Sequence, residues 1–297
     1  LCLPCLVPGP PVVPDGDGTL NIFDDAYYCP AGSYHNKLKQ DACTETDAGH
    51  FSTGRQISQI FPSNYDFSCA IMNDDSLSCW GENGQGQLGD GSDHDRATPV
   101  QPILPYGRTV STLASGSAST CAIMDDGSIY CWGDNSAGQL GDGTTTDRWT
   151  PVAVDMPTGR TAVQIDTTDQ TFCAVMDDES VYCWGFNGNY NLGCNSGNSY
   201  ETAPCEVSGV SASSVQVGYD HTCAIVTDAP DIHSMVKCWG MNSQGQLGDG
   251  TTTNSFNTPV IPSIPDSVTS LDAGAYHTCA RLDEGSIYCW GDSSIAQ

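Results

Sequence analysis

The chain has 297 residues, of which 36 are Asp or Glu and 9 are Lys or Arg, so its formal net charge is -27 at pH 7. Binding to nucleic acid or to anionic lipid depends on clustered Lys and Arg side chains, so this charge argues against both kinds of partner. No segment approaches the ~18 consecutive apolar residues of a membrane-spanning helix, and we expect no membrane insertion in this segment.

Residues 1–50 differ in composition from the rest and are predicted to form a Pro-rich linker and a small Cys-rich extracellular module. The run from Val7 to Pro14 is Pro-rich and predicts an extended linker. Cys2 and Cys5 could pair with each other or with cysteines upstream. Their Cys-x-x-Cys spacing leaves redox or metal chemistry open as the alternative.

A short acidic segment that follows the linker could bind calcium. Asp15, Asp17, Asn21 and Asp24 stand at the third, fifth, ninth and twelfth positions of a pattern that resembles a dockerin or EF-hand loop. The first position, usually a carboxylate, is Val13. An ordinary Asp/Gly turn is the alternative, and the missing carboxylate favours it. No cofactor is therefore expected, and structural calcium at this segment is the one candidate.

Two further segments of this region are rich in turn residues and begin with cysteine. The segments CPAGSY and CTETDAGHFS, which start at Cys29 and Cys43, resemble Cys-rich modules of ephrin and tumour-necrosis-factor receptors. Such modules usually have a further cysteine where Thr46 stands, so the match is partial. The resemblance implies a Cys29–Cys43 disulfide.

From residue 51 onward the sequence repeats with a period of about 50 residues, which suits propeller blades better than a solenoid. Short runs rich in β-branched and aromatic residues alternate with Gly and Asp turns, so antiparallel strands are predicted and no long helix is expected. The predicted fold is an all-β propeller of four-stranded antiparallel blades. The units lie near residues 54–106, 107–158, 159–208, 209–267 and 268–297.

Each unit contains a predicted hairpin with two cysteines that face each other. Cys121 and Cys131 are ten residues apart. Directly opposed pairing therefore makes residues 125–127 a three-residue turn, with glycine in a left-handed conformation at its third position. We assign that position to Ser76 in the first unit and to Glu179 in the third, and expect strain or a different loop there.

Opposed residues of an antiparallel pair have Cα atoms ~4.5–5.5 Å apart, which is within disulfide range. The third unit gains Cys194 and Cys205, which we expect to brace a surface loop with a further bridge. Zinc is the alternative, but isolated pairs on separate hairpins do not bring four ligands together. Disulfides place the chain in an extracellular or cell-surface compartment. The predicted hairpin pairs are Cys69–Cys79, Cys121–Cys131, Cys173–Cys183, Cys223–Cys238 and Cys279–Cys289.

The clearest unit reads CAIMDDGSIYCWGDNSAGQLGDGTTTDRWTPV and resembles a repeat of the regulator of chromosome condensation family. The resemblance covers about residues 54–297 and implies a seven-bladed propeller. Five units are visible, so about five of seven expected blades are present, and we expect the native chain to continue. His221 and His277 fill the His-Thr position of the repeat, which implies structural hydrogen bonds.

The sequence has no GxSxG, HExxH or phosphate-loop motif, and we expect a non-enzymatic protein. The predicted function is an extracellular protein-interaction or structural module in a cell-surface or secreted assembly such as a scaffold, filament or matrix. Its partners would be other proteins or copies of itself. The alternative is a secreted propeller that binds a protein or glycan through one ring face. Guanine-nucleotide exchange or a glycan-directed enzyme is less favoured.

Loops that differ between units on a repeated scaffold are the predicted binding sites. The residues that mark them are Asp93, Asp147, Tyr200 and Phe256.

Overall fold

The computed structural model describes residues 33–34, 44–45, 56–63, 65–194, 196–227, 236–265 and 267–292. These residues contain twenty β-strands, and no helix is found among them. The first two strands, β1 (Ser33–Tyr34) and β2 (Thr44–Glu45), form a short antiparallel pair. The other strands form consecutive antiparallel blades of a β-propeller, as the sequence predicts.

Blades I and II are four-stranded sheets whose strands follow chain order. Their first strands contact each other, so first strands line the propeller axis and fourth strands lie outside. Blade I contains β3 (Ile57–Pro62), β4 (Phe67–Met72), β5 (Leu77–Gly81) and β6 (Arg96–Val100). Blade II contains β7 (Val110–Ser115), β8 (Ser119–Met124), β9 (Ile129–Gly133) and β10 (Arg148–Ala153).

Blades III and IV share their strand β14 and form one seven-stranded sheet. Residues of β14 up to Ser211 pair with blade III, and those from Ala212 onward pair with blade IV. Blade III contains β11 (Ala162–Thr168), β12 (Thr171–Met176), β13 (Ser180–Phe186) and β14 (Tyr200–Val217). Blade IV continues with β15 (His221–Val226), β16 (Val236–Gly240) and β17 (Ser255–Val260). The described strands of blade V are β18 (Val268–Ala273), β19 (His277–Leu282) and β20 (Ile287–Gly291).

In blades I, II, III and V, the turn between the second and third strands has a left-handed residue at its third position. In blade II this residue is Gly127, with φ 77°, and in blade III it is Glu179, with φ 69°. In blade I the left-handed residue is Asp75, with φ 60°, so the prediction of Ser76 is wrong by one residue. Counting from Cys69 with the spacing of blade II places Asp75, and not Ser76, at the third turn position.

In each blade, a disulfide bond links the second strand to the third. The five hairpin bridges have Cα–Cα distances of 4.1 Å, because the bonded cysteines stand directly opposite each other. Cys194–Cys205 joins the long loop of blade III to β14, with a Cα–Cα distance of 5.8 Å. In blades I–IV the hairpin cysteines are fully buried and belong to the hydrophobic core. The bridged pairs are Cys69–Cys79, Cys121–Cys131, Cys173–Cys183, Cys223–Cys238 and Cys279–Cys289.

From blade II onward, the tryptophan that follows the second hairpin cysteine connects its blade to the preceding one. Trp132, Trp184 and Trp239 are fully buried. The indole N–H of Trp184 donates to the Gln139 carbonyl of blade II at 2.9 Å, and the other two make the equivalent bond. Gly141 lies against this indole with φ 64°, and a Cβ there would lie 3.0 Å from Nε1. The recurring Leu-Gly pair therefore reflects close packing between blades.

Side chains join the first strands of blades III and IV near the axis. Gln164 exchanges two hydrogen bonds of 2.8 Å with the backbone of Val215. The carboxylate of Asp166 accepts the N–H of Val217 at 2.7 Å. Burial raises the pKa of Asp166 to about 7, and the charge of Asp272 on β18 adds to the effect. These bonds satisfy backbone groups that would otherwise be an unpaired strand edge.

Candidate functional site

The four predicted binding-loop residues occupy equivalent places in successive blades. Asp93, Asp147, Tyr200 and Phe256 each lie at or just before the beginning of a fourth strand. Because fourth strands lie outside, the fold spreads these residues around the ring and does not bring them together. All four are exposed.

Two of these side chains already hold parts of the propeller together. Asp147 accepts the backbone N–H of Asn135 at 2.8 Å and so closes its own loop. Phe256 packs edge-on against Tyr190 of the preceding blade, with ring centroids 4.7 Å apart. Both residues therefore have a structural role, whatever else they contact.

A buried asparagine holds each long loop between the third and fourth strands. In blade II, the side-chain amide of Asn135 donates to Asp142 and to the Thr144 carbonyl, both at 3.1 Å. Arg148 lies 2.7 Å from the same carboxylate. Burial alone would raise the pKa of Asp142, but hydrogen bonds from Thr144 and Arg148 outweigh it and lower the pKa. Protein donors thus occupy this carboxylate. The same arrangement recurs around Asn83 and Asn242.

Other predicted sites fall on parts of the chain that the structure does not cover. Among the described residues, no group of three or more His, Cys, Asp or Glu side chains could hold a metal ion. Within the same residues, no helix is long and apolar enough to cross a membrane. The predicted calcium ligands and the predicted receptor-like disulfide lie outside the described residues: Asp15, Asp17, Asn21, Asp24, Cys29 and Cys43.

Turns between first and second strands bring three exposed tyrosines to one end of the axis. Tyr65 comes from blade I, Tyr219 from blade IV and Tyr276 from blade V, and they are 57%, 39% and 38% exposed. The rings of Tyr219 and Tyr276 are tilted, with centroids 5.9 Å apart. Tyr65 is close enough for its phenol to contribute to raising the pKa of Tyr219. We call these three residues the tyrosine cluster.

Backbone contacts between neighbouring blades fix the turns between first and second strands, both at the Tyr219 turn of the cluster and at the equivalent turns of blades II and III. The N–H of Tyr219 donates to the Ala275 carbonyl at 3.1 Å, and the N–H of Ser117 donates to the Asp169 carbonyl at 3.2 Å. A Cβ at Gly116 would lie 2.3 Å from the Asp169 carbonyl oxygen, so this turn requires glycine. The turns therefore pack backbone to backbone, which holds their side chains in place.

A cavity of about 300 Å³ opens beside Tyr219, between the turns of blades III and IV. Its lining includes Asp169, Gln170 and Asn189 of blade III and Tyr219 and Asp220 of blade IV. Asp220 is only 7% exposed, and its Oδ1 accepts the side-chain amide of Asn189 at 2.7 Å. We call this space the acidic cavity.

The acidic cavity has a negative potential. Burial raises the pKa of Asp220, the Asn189 hydrogen bond opposes this, and the charge of Asp169 raises it further. The pKa of Tyr219 is raised first by the charge of Asp169, then by burial and by Asp220. No Lys or Arg is among the described residues that line the cavity. Two carboxylates without a cation suit a positively charged group from another molecule.

Sequence reasoning did not single out the tyrosine cluster or the acidic cavity. It favoured loops that differ between units, whereas these residues lie in short turns between first and second strands. A signal was present, because a tyrosine stands three or four residues before the first hairpin cysteine in three units, at Tyr65, Tyr219 and Tyr276. Their common position, however, depends on the ring geometry that brings residues 65, 219 and 276 to the same end of the axis.

Comparison with known proteins identifies the repeat. Residues 74–123, 126–175 and 178–225 match one form of the regulator of chromosome condensation (RCC1) repeat. Residues 57–87, 110–139, 162–191 and 268–294 match a second form of it. Together the two forms cover most of the propeller.

Two relatives illustrate the range of proteins that contain such repeats. The ultraviolet-B receptor UVR8 of Arabidopsis thaliana is 29% identical over 251 residues, which are 80% of this chain and 54% of the receptor. The probable E3 ubiquitin-protein ligase HERC4 of Homo sapiens is 32% identical over 250 residues, which are 81% of this chain and 23% of the ligase. The chain thus spans about half or less of the length of these relatives.

Solved structures share the fold at low sequence identity. Human WBSCR16 has a TM-score of 0.70 and 17% identity, over 84% of this chain and 65% of that one. Yeast RCC1 (Prp20), bound to Kap60, has a TM-score of 0.68 and 17% identity, over 84% and 60%. The ectodomain of the Physcomitrella patens receptor kinase CR4 has a TM-score of 0.50 and 20% identity, over 77% and 51%.

Proposed function

Because the chain belongs to the family of regulator of chromosome condensation (RCC1) repeats, we propose that it is a non-enzymatic protein-binding module of a larger assembly outside the cell or on its surface. The observation that carries the proposal is the tyrosine cluster beside the acidic cavity. Exposed aromatic side chains are enriched in protein interfaces, because they bury large areas with few rotamers to fix. The proposed binding surface is therefore the axial end that carries Tyr65, Tyr219 and Tyr276.

Known complexes of structural neighbours support a protein-binding role for this chain. Yeast RCC1 (Prp20) has been solved in complex with Kap60, and another structure is described together with its binding to Gsp1p and histones. The present chain is strongly acidic, with a net charge of -27. A partner with a basic contact surface would therefore associate fastest, because opposite charges steer the encounter.

The disulfides support a location outside the cytosol. Six cysteine pairs are bonded in the described residues, which indicates an oxidising environment. An ectodomain, that of the Physcomitrella patens receptor kinase CR4, also has this fold. We propose accordingly that residues 51–297 form an extracellular propeller and that residues 1–50 form a separate Cys-rich extension.

The compartment is tested by isolating the protein from its own source and alkylating it before and after reduction. We expect the twelve cysteines of the six described disulfides to resist alkylation until reductant is added, because they are bonded. Intact mass gives the number of modified thiols. Free alkylation of the hairpin cysteines in the native protein would contradict an extracellular location.

The binding surface is tested with a variant that removes the tyrosine cluster. The immobilised wild-type chain and a Tyr65→Ser, Tyr219→Ser, Tyr276→Ser variant are exposed to secreted and surface proteins of the source organism. The matched control is Tyr106→Ser, Tyr288→Ser, which removes two other exposed tyrosines. We expect the wild type and the control to retain the same partner and the cluster variant to lose it, as quantified by mass spectrometry. Equal retention by all three would contradict the proposed surface.

A further inference from the structure

We propose that the acidic cavity binds the guanidinium group of an arginine side chain presented by the protein partner. This inference rests on the proposed function and adds the chemistry that the site recognises. The cavity of about 300 Å³ lies at the small end of the range for ligand sites, roughly 300–1,000 Å³. It is therefore suited to one inserted side chain rather than to a large ligand.

The hydrogen bonds of Asp220 support a positively charged ligand in the acidic cavity. The residue is 7% exposed, and its Oδ1 accepts one hydrogen bond of 2.7 Å from Asn189. No described residue donates to its Oδ2. A buried carboxylate without a cation is costly, and burial accordingly raises the pKa of Asp220. An incoming N–H donor that carries positive charge would satisfy both the free oxygen and the charge.

The chain itself has no arginine to place in this cavity among its described residues. The four arginines of blades I–III are paired with aspartates of their own loops or hairpins. Arg281 lies on β19, and it is absent from the lining of the cavity. The missing cation would therefore have to come from another molecule.

The aromatic wall favours guanidinium over ammonium. Tyr219 lines the cavity and packs against Tyr276, with centroids 5.9 Å apart. A guanidinium is planar, stacks on aromatic faces and binds a carboxylate through two parallel N–H groups, whereas an ammonium is a compact, strongly hydrated charge. The carboxylates of Asp169 and Asp220, next to the ring of Tyr219, match the first of these shapes.

The test uses the folded chain with ¹³C-labelled tyrosine rings and three peptides. The peptides are acetyl-Gly-Arg-Gly-amide, its lysine counterpart and its citrulline counterpart, which has the shape of arginine without the charge. We expect the arginine peptide to shift the ring signals of Tyr219 and Tyr276 saturably, while Tyr106 and Tyr288 do not move. The lysine and citrulline peptides should bind about tenfold more weakly, because they lose the planar charge-assisted pair.

Charge-matched variants separate this site from general attraction to an acidic protein. Asp220→Asn and Asp169→Asn each remove one charge from the cavity, and we expect each to weaken arginine binding by about five- to tenfold. Asp75→Asn removes one charge from a hairpin at the other end of blade I and should leave binding within about twofold. Asn tolerates the left-handed φ of 60° at Asp75, so this control should fold.

Each outcome decides the inference. Equal binding of the arginine and citrulline peptides, equal binding of the lysine peptide, or equal weakening by Asp75→Asn would overturn it. The thermal unfolding midpoint shows whether Asp220→Asn folds. If it does not, Asp169→Asn is used instead, because Asp169 is the more exposed of the two residues. If the peptides fail but the partner still depends on the tyrosine cluster, the arginine inference falls and the proposed function stands. If neither depends on this face, both fall.

Discussion

His221 is a fully buried side chain whose neutral form the fold requires. Its Nε2 lies 2.8 Å from Thr278 Oγ1 of the next blade, and its Nδ1 has no hydrogen-bond partner. Burial lowers its pKa to about 4, and repulsion from His277 contributes. In the unfolded chain the pKa would be ordinary, about 6.5. Protonation therefore favours the unfolded state.

This histidine predicts a loss of stability in mild acid. The unfolded state binds more protons than the folded state, so stability is complete above about pH 6.5 and falls as the pH approaches 4. The difference in pKa corresponds to at most about 3 kcal/mol. Urea unfolding of His221→Gln between pH 4 and 7 should show a smaller pH dependence than the wild type. The same substitution at the exposed His94 serves as the control for the loss of an imidazole at the surface.

Asp166 predicts the opposite dependence. Its pKa is raised to about 7, so the folded state holds a proton that the unfolded chain releases near pH 4. Its stabilising proton is lost as the pH rises from about 4 to 7. Asp166→Asn keeps an acceptor for Val217 and should therefore raise the free energy of unfolding at pH 8 relative to pH 5, by on the order of 2 kcal/mol. A change of equal size at both pH values would contradict the assigned pKa.

The hairpin turns show how the φ angle of one residue affects the free energy of unfolding. Asp75 has φ 60°, where an ordinary side chain is strained, whereas Gly127 fills the same position in blade II with φ 77°. We expect Asp75→Gly to raise the free energy of unfolding by about 0.5–1 kcal/mol. Gly127→Ala should lower it by more, since its Cβ would also lie 2.4 Å from Thr161 Cβ. Denaturant unfolding measures both, and a loss of stability in Asp75→Gly would contradict the turn assignment.

At the scale of the strand and turn, neighbouring blades contact each other where the tryptophan of one blade packs on a glycine of the preceding blade. Trp184 donates to the Gln139 carbonyl and covers Gly141. The sequence predicts that the CWG and GQLG motifs are structural, because CWG recurs in all five units and GQLG in three of them. It does not predict that they meet across two blades, since 45 residues separate Trp184 from Gln139.

Removal of one such indole N–H should weaken a single blade interface. Trp184→Phe leaves the buried carbonyl of Gln139 without its donor and should cost about 1–3 kcal/mol, beyond the volume that is lost. Trp149→Phe, at a tryptophan that is 46% exposed, should cost much less. Thermal unfolding compares the two variants, and equal losses would show that the buried bond contributes little.

At the scale of the whole molecule, disulfides supply much of the stability. Each hairpin bridge closes a short loop and contributes about 2–3 kcal/mol, so five contribute an amount comparable with the total stability of a typical domain. We expect the fully reduced chain not to refold from urea, whereas the Cys194→Ser, Cys205→Ser variant should refold. Circular dichroism measures the refolding of both proteins. Full refolding after reduction would contradict the stabilisation assigned to the disulfides.

The sequence predicts the features that lie within one repeat unit, but not the contacts between blades that the ring brings together. The ten-residue cysteine spacing predicts hairpins, turns and disulfides, because each is decided within one unit. The tyrosine cluster combines blades that lie far apart in the chain, with Tyr65 in blade I and Tyr219 in blade IV, whereas the acidic cavity lies between the consecutive blades III and IV. Only the curvature of the ring brings them together, and no spacing within one unit encodes that curvature.

The strand that blades III and IV share also affects how a ligand would enter. One wall of the acidic cavity comes from the end of β11 and the other from the turn after β14, and β14 is hydrogen-bonded into both blades. The two walls therefore belong to one continuous sheet, and hydrogen bonds from Gln164 and Asp166 to the backbone of Val215 and Val217 hold them together. A ligand would meet a site that is already shaped for it, so little conformational entropy would be lost on association.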